Sequence, residues 1–433
     1  MWSKIRISLA LFLSFFLFNE ATAQYDQSSY SIIGIGNPNW GGFSQNASMG
    51  GLGVSYGSRL FLNNLNPALG ASNQEAIFQI GTSMDFRTFT QSTDQGPNSY
   101  NSLAGGFKDF GFNLPIKYAK WNLGVSLNPY TNVNYGFITT DEGGGPNGST
   151  PIVEVDGGGG IEELAVTNSF RIKNFQFGVK ASFFFGSIQK EDKFSLSGIT
   201  STSFGNAVVN QTKSYHRLSF GVGGLYKLLL SSNSRLNIGA FYNPEIDLRQ
   251  NILATLENQT SGGNLISGDT LVNDRANKNT IRIPKKFGFG LTYEKFQKLT
   301  IGLDYISQDW ADYRDQDGLA ENTYGSAYRM ALGGEYIPDY QAQKLVSITS
   351  YRFGIHYEQT PFLVNNETID DIGVSFGASF PLNAFWGQAH LNLGATFGQR
   401  GSVSGSLVRE NYFKIHIGFS LQDVTWFTRQ KFN

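Results

Sequence analysis

The sequence predicts an all-β fold, a transmembrane antiparallel β-barrel of about 14 strands preceded by an N-terminal plug. Three observations carry that expectation: an export-type leader, period-two alternation recurring from residue 75 onward, and a composition rich in glycine and aromatics but poor in charge. Of 433 residues, 40% are hydrophobic and only 15% charged, with 51 glycines and 14% aromatics. Helical enzymes of this size draw more heavily on Glu, Lys and Ala. A net charge of −1 supplies no basic excess to neutralise phosphates, so nucleic acid is not an expected partner. The chain has no cysteine, which removes disulfides, thiolate metal sites and a cysteine nucleophile.

Three segments follow in order. Residues 1–23 read as a signal peptide: Lys4 and Arg6 precede the apolar run Ile7 to Phe18, and Ala21-Thr22-Ala23 supplies the small residues of a cleavage site before Gln24. A membrane anchor would need about 20 apolar residues, more than this run offers. Past it no apolar stretch approaches spanning length, so membrane residence must be by strands.

Residues 24–72 lack sustained alternation and are rich in Gly, Asn and Ser. Two clusters stand out, Ala47 to Ser55 with Met49, Gly50, Gly51 and Gly53, and Leu60 to Ala68 ending in Asn66-Pro67-Ala68. Glycine allows tight turns and close approach to other chain, and Asn-Pro favours a turn. Leu60, Phe61, Leu62 and Leu65 are unusually apolar for a disordered tail. The segment is therefore expected to be a plug inside the barrel.

Residues 73–433 read as barrel. Trp121, Leu123, Val125 and Leu127 alternate with small or polar residues, as do Phe175 to Phe185, Phe287 to Tyr293, Leu299 to Tyr305, Tyr351 to Tyr357, Ile372 to Phe380, Ala389 to Phe397 and Phe413 to Leu421. Arg352, His356, His390, Asn392, Lys414 and His416 fall on the opposite face, as expected of a wet lumen. Arg171 to Asn174 and Lys295 to Lys298 read as tight turns. Asp141 to Pro151, Gly157 to Gly160 and Ser261 to Lys278 read as long polar connections. Short turns on one end and long loops on the other are the asymmetry of bacterial barrels.

Met49-Gly50-Gly51, a spacer, and then Asn66-Pro67-Ala68 resemble the N-terminal signature of the FadL family, outer-membrane transporters of long-chain fatty acids and other hydrophobic compounds. Asp304-Tyr305 through Asp309-Trp310-Ala311-Asp312-Tyr313 is similar to a family strand ending in an aromatic cluster, and Phe419 to Phe432 resembles Bacteroidetes-type members. The resemblance implies a 14-stranded monomeric barrel in the bacterial outer membrane, surrounded by lipid and lipopolysaccharide. It implies a hatch containing Met49, Gly50, Gly51, Gly53, Asn66, Pro67 and Ala68, an internal pocket for a hydrophobic ligand, and lateral exit through a gap in the wall. The sequence departs from proteobacterial members in its loops and in ending on Asn433.

A wall gap requires interrupted strand pairing, which proline, glycine or a bulge can supply. Asn128-Pro129-Tyr130 and Gly157 to Gly160 are candidates, with Pro129 preferred; both also fit ordinary turns. No Ser-His-Asp order, phosphate loop or metal motif appears, and no cofactor is expected. Asp312, Asp315, Asp317 and Gly318 only superficially match a calcium loop, since the spacing fails at Tyr313. Passive transport of hydrophobic molecules is the leading expectation. A barrel that docks or shuttles secreted proteins, with partners in a secretion system, is the alternative, ahead of a general porin and a barrel enzyme.

Overall fold

The computed structural model describes residues 27–93, 96–140, 149–197, 205–260, 262–274, 279–314, 323–384, 387–404 and 407–423. The leader, the Gly143 to Gly148 run, Asp315, Asp317, Gly318 and the C-terminal stretch from 424, including Trp426-Phe427, lie outside them.

Fourteen antiparallel strands close into one barrel. They are β1 Ala76–Thr93, β2 Gly96–Lys117, β3 Trp121–Thr140, β4 Thr150–Ile172, β5 Phe175–Ser197 and β6 Asn206–Ser231. Next come β7, broken at Pro244 into Ser234–Asn243 and Ile246–Gln259, and β8, in three pieces, Leu265–Asn273, Thr280–Ile283 and Lys286–Lys295. The circuit finishes with β9 Leu299–Asp309, β10 Ser326–Tyr336, β11 Ser350–Val364, β12 Glu367–Ala384, β13 Gly387–Arg400 and β14 Val408–Asp423. The seam pairs Val408–Asp423 with Gln91–Ala76 without a register shift.

The alternation maps onto two faces. Along β11, Tyr351, Phe353 and Ile355 are exposed while Arg352, Gly354 and His356 are buried. The same exterior belt includes Ile80, Phe86, Leu218, Phe220, Phe289, Leu303 and Leu332, all exposed. Such a belt is unstable in water and stable against hydrocarbon.

Aromatic rows bound it. One runs through Trp121, which stacks on Phe170, to Tyr226, Tyr293, Tyr336 and Tyr351. The other runs from Phe86 through Phe413 and Phe397, and from Tyr305 through Tyr328 to Tyr357. Tyr328 and Tyr336 lie on one strand, and eight residues at about 3.4 Å each, tilted, span roughly the apolar height of an outer-membrane barrel.

Strands β4, β5 and β6 are 23, 23 and 26 residues long, whereas β9 and β10 have 11 each. A tilted span needs about 9–11 residues, so the wall from β3 to β8 rises well beyond the lipid band on one side.

Three connections depart from expectation. Gly157 to Gly160 is not a loop but the middle of β4, paired to both β3 and β5. A run of glycines has no side chains to display a period, which hid the strand. Within Ser261 to Lys278, Leu265–Asn273 is a strand on β7 with every residue exposed, so no buried face marked it. The end asymmetry also has exceptions. Residues 337–349, on the tight-turn end, form an extended connection with a one-turn helix Leu345–Ile348. On the other end Asn365-Asn366 makes a two-residue hairpin, both at positive φ (50 and 64), as a type I′ turn requires.

Candidate functional site

Residues 27 to 73 run along the inner face of the barrel wall. Their contacts reach inward-facing residues of strands around the circumference. Gln79 on β1 bonds Gln45 and Leu62, Asn113 on β2 bonds Asn73, and Ser169 on β4 donates to the Pro67 carbonyl. Lys227 on β6 donates to Ser72, and Ser375 on β12 accepts from the Gly50 amide.

Space for this segment comes from glycines facing the lumen. They often meet in register: Gly178 with Gly223, Gly239 with Gly290, Gly302 with Gly333 and Gly354, Gly377 with Gly394, and Gly418 with Gly81. A Cβ at Gly354 or Gly333 would strike the Met49 backbone, and one at Gly178 the Pro67 carbonyl.

The two clusters singled out in the sequence meet here. Met49 is fully buried. Gly50 and Gly51 turn at φ 69 and 90, and the Gly50 carbonyl accepts from Arg329 Nη2 at 3.0 Å. The Gly53 and Val54 amides donate to Asp304 Oδ2 at 2.5 and 2.7 Å. Asn66 Nδ2 donates to the Val54 carbonyl and, across to β6, to the Gly224 carbonyl. Asn66 Oδ1 caps the short helix Pro67–Ser72 by accepting from the Ala68 amide, a use of Asn at a helix start that satisfies an otherwise orphan donor. Pro67 and Ala68 are buried.

The first part of the segment is tied to the seam. Glu410 on β14 accepts from Ser28 Oγ, the Ser29 amide and Ser29 Oγ, and pairs at 2.5 Å with Arg87, which also holds Asp85 at 2.7 Å. Tyr30 donates to the Val408 carbonyl at 2.6 Å; burial pushes its hydroxyl pKa up to about 12. Trp310 and Tyr313 of the sequence's aromatic cluster are buried; Trp310 stacks with Tyr324, and Tyr313 meets Tyr324 at a tilt. The Tyr324 hydroxyl accepts from the Ile35 amide. Asp312 beside them is exposed.

Pairing between β2 and β3 covers only Phe110–Lys117 against Leu127–Trp121. Beyond it, β2 pairs with β1 alone. At that height each strand is bulged, β2 at Lys108 between Asp109 and Phe107, β3 at Tyr130 between Pro129 and Thr131. Bulges bend and twist a strand away from its neighbour, and Pro129 has no N–H to offer. The β3 edge left open is met from inside by the plug segment: Asn37 and Pro38 pair with Asn132 and Thr131. Asn39 donates to the Tyr130 and Pro129 carbonyls. Pro129 thus borders the interrupted stretch, whereas Gly157 to Gly160 is paired on both sides and opens nothing.

Two chambers flank Asn39-Trp40-Gly41. The first is lined by Trp40, Leu65, Pro129, Tyr130, Phe184, Phe241 and Ile246, with Lys180, Glu163 and Lys286 among them. Lys180 pairs with Glu163 at 2.7 Å. Lys286 donates to the Asn39 and Trp40 carbonyls and lies 5.1 Å from the Trp40 ring centroid. The second chamber carries His356 and His416. Of the histidines expected to face the lumen, His356 bonds Asp371 and Tyr412, His416 bonds Ser83 and Thr396, and His390 meets the Phe61 ring edge-on. Sequence reasoning named Asp304 only as the start of a family-like strand and did not single out Glu410 or Gln79; each looks like any lumen polar residue until its partner, distant in sequence, is known.

A family model described as BamG matches residues 1–433. The chain belongs to the BamG family. Among curated proteins none matches this BamG-family chain. Among solved structures it resembles the toluene transporter TodX of P. putida, at TM-score 0.57 and 14% identity over 88% of this chain and 98% of that one. A FadL homologue of Pseudomonas aeruginosa matches at TM-score 0.54 and 14% identity over 89% and 99%, and the Ralstonia pickettii toluene transporter TbuX at 0.51 and 13% over 88% and 98%. At these identities the likeness is one of fold. With the greasy exterior belt, that fold puts this BamG-family protein in the bacterial outer membrane.

Proposed function

We propose that the protein is a passive, non-enzymatic conduit for hydrophobic molecules, of the Bacteroidetes type within the FadL-like barrels. Residues 24–72 act as its hatch, and the β2–β3 interruption is the lateral exit. One observation carries this reading: Pro129 and Tyr130 border the unpaired wall and also line the aromatic chamber. A greasy solute in that chamber is one strand edge from hydrocarbon. Each CH₂ buried there gains about 0.8 kcal/mol, which offsets the cost of crossing the polar outer surface. Long-chain fatty acids and monoaromatic hydrocarbons are the ligand classes to test, the protein acting as a monomer. The tight-turn end then faces the periplasm.

The test is uptake. Cells lacking the protein should take up toluene and long-chain fatty acids more slowly than the parent, and equal rates would end the reading. A second reading, docking of secreted proteins, draws on the exposed strand Leu265–Asn273 and on exposed Tyr340, Leu345 and Val346 in the connection 337–349. Affinity purification from intact membranes separates the two, because stoichiometric protein partners favour docking.

A further inference from the structure

We propose that the connection 337–349 is a second membrane contact, a strap lying in the phospholipid headgroup layer at the tight-turn end, with Leu345 and Val346 dipped into the acyl boundary. This needs only the barrel's seat in the bilayer, not the conduit reading. Tyr336 at the end of β10 and Tyr351 at the start of β11 are register partners, so the chain between them is longer than closing the hairpin requires. Length beyond need marks a loop with work of its own. Val346, 69% exposed, is the most exposed large hydrophobic residue among those described, and Leu345 and Tyr340 are half exposed beside it. An apolar tip of this kind gains nothing from water and marks a contact with membrane or protein.

Membrane is favoured because the strap is tied to the outer side of the girdle. Tyr351, which faces outward, donates from its hydroxyl to the Val346 carbonyl at 3.0 Å. Lys298 donates to the Pro338 carbonyl while its ammonium lies 5.1 Å from the ring centroid of outward-facing Tyr336. The helix Leu345–Ile348 lies against β12, whose Ala378 pairs with Tyr351. The apolar tip is therefore continuous with the aromatic row of Tyr293, Tyr336 and Tyr351, and such rows sit at the headgroup level. The backbone is bonded within the strap: the Asp339 amide donates to the Ser347 carbonyl, the Ser347 and Ile348 amides to the Lys344 carbonyl, and the Thr349 amide to the Leu345 carbonyl. Main chain that approaches hydrocarbon needs its polar groups satisfied in this way. Exposed Lys344 directly precedes the Leu-Val pair, and a long basic side chain can follow the apolar surface while its ammonium stays among the phosphates.

The chain has no cysteine, so one introduced thiol labels one place. Val346→Cys, Ile355→Cys and Asp269→Cys, each carrying the fluorophore NBD, are reconstituted into phosphatidylcholine vesicles. The vesicles contain lipid with a nitroxide near either the carbonyl end or the methyl end of its acyl chain. The carbonyl-end nitroxide should quench the label at 346 about twofold or more above the methyl-end one, as for an interfacial segment about 5–10 Å deep. The label at 355, inside the greasy belt, should show the reverse order. The label at 269, on the part of the wall that rises past the lipid, should respond to neither. Quenching at 346 no stronger than at 269 overturns the membrane contact. Benzophenone in place of NBD at 346, irradiated in intact outer membranes, separates lipid from protein. Adducts with phospholipid support the strap; a stoichiometric protein adduct overturns it and returns Tyr340, Leu345 and Val346 to the docking reading.

Discussion

The Asp304 carboxylate accepts the backbone amide of Gly53 at 2.5 Å, 251 residues away in sequence, and the next amide, Val54, with the same oxygen. A side chain of the wall thus holds the backbone just past the Gly50-Gly51 turn. Asp304→Ala leaves two buried donors unmet at about 1–3 kcal/mol each. Hydrogen exchange should accelerate at residues 49–56 while the strands stay protected; unchanged exchange there would show that the clamp holds nothing.

Replacing Gly354 by Val puts a side chain where the Met49 backbone runs. The plug must shift, and planar-bilayer conductance should rise. Gly105→Ala, which meets only ordinary contacts, should leave conductance at the parental level.

Glu410→Ala removes the acceptor shared by Ser28, Ser29 and Arg87. Losing one partner of a buried ion pair costs about 3–5 kcal/mol, at the lower end here because Asp85 still holds Arg87. The midpoint of denaturant unfolding in detergent should fall, and residues 27–36 should become protease-sensitive.

Phe353→Arg tests which face meets lipid. At the bilayer midplane an arginine on the outer face costs about 2–4 kcal/mol, measurable as a lower unfolding midpoint in bilayers. A variant as stable as the parent would mean that the Phe353 face does not meet hydrocarbon.

Trp40 lines both chambers. Bromododecane should quench its fluorescence, and Trp40→Phe should abolish the saturable part of that quenching. Quenching that survives the substitution would come from the outer belt.

Most of the barrel was legible because burial on one face writes a period of two into residues such as Tyr351, Arg352, Phe353 and His356. That signal fails where it has no physical cause. Gly157 to Gly160 carries no side chains to alternate, and Leu265–Asn273 has no buried face. Residues 24–72 read as a plug from their glycines and apolar Leu60 to Leu65, but the wall contacts of this segment were not legible. Nothing local marks Asp304 or Glu410 as partners of Gly53 and Ser28, since those pairings exist only once the ring has closed. Pro129 marked its stretch of β3 through the missing donor, with an ordinary turn equally open, whereas the bulge at Lys108 has no proline or glycine of its own to signal it.

Ser28 and Glu410 are 382 positions apart, yet Glu410 lies in the strand that zips onto Ala76–Thr93 to complete the cylinder. The earliest described residues therefore find their final resting place only when nearly the last have been delivered. Closing the ring is thus what supplies the carboxylate that holds Ser28 and Ser29.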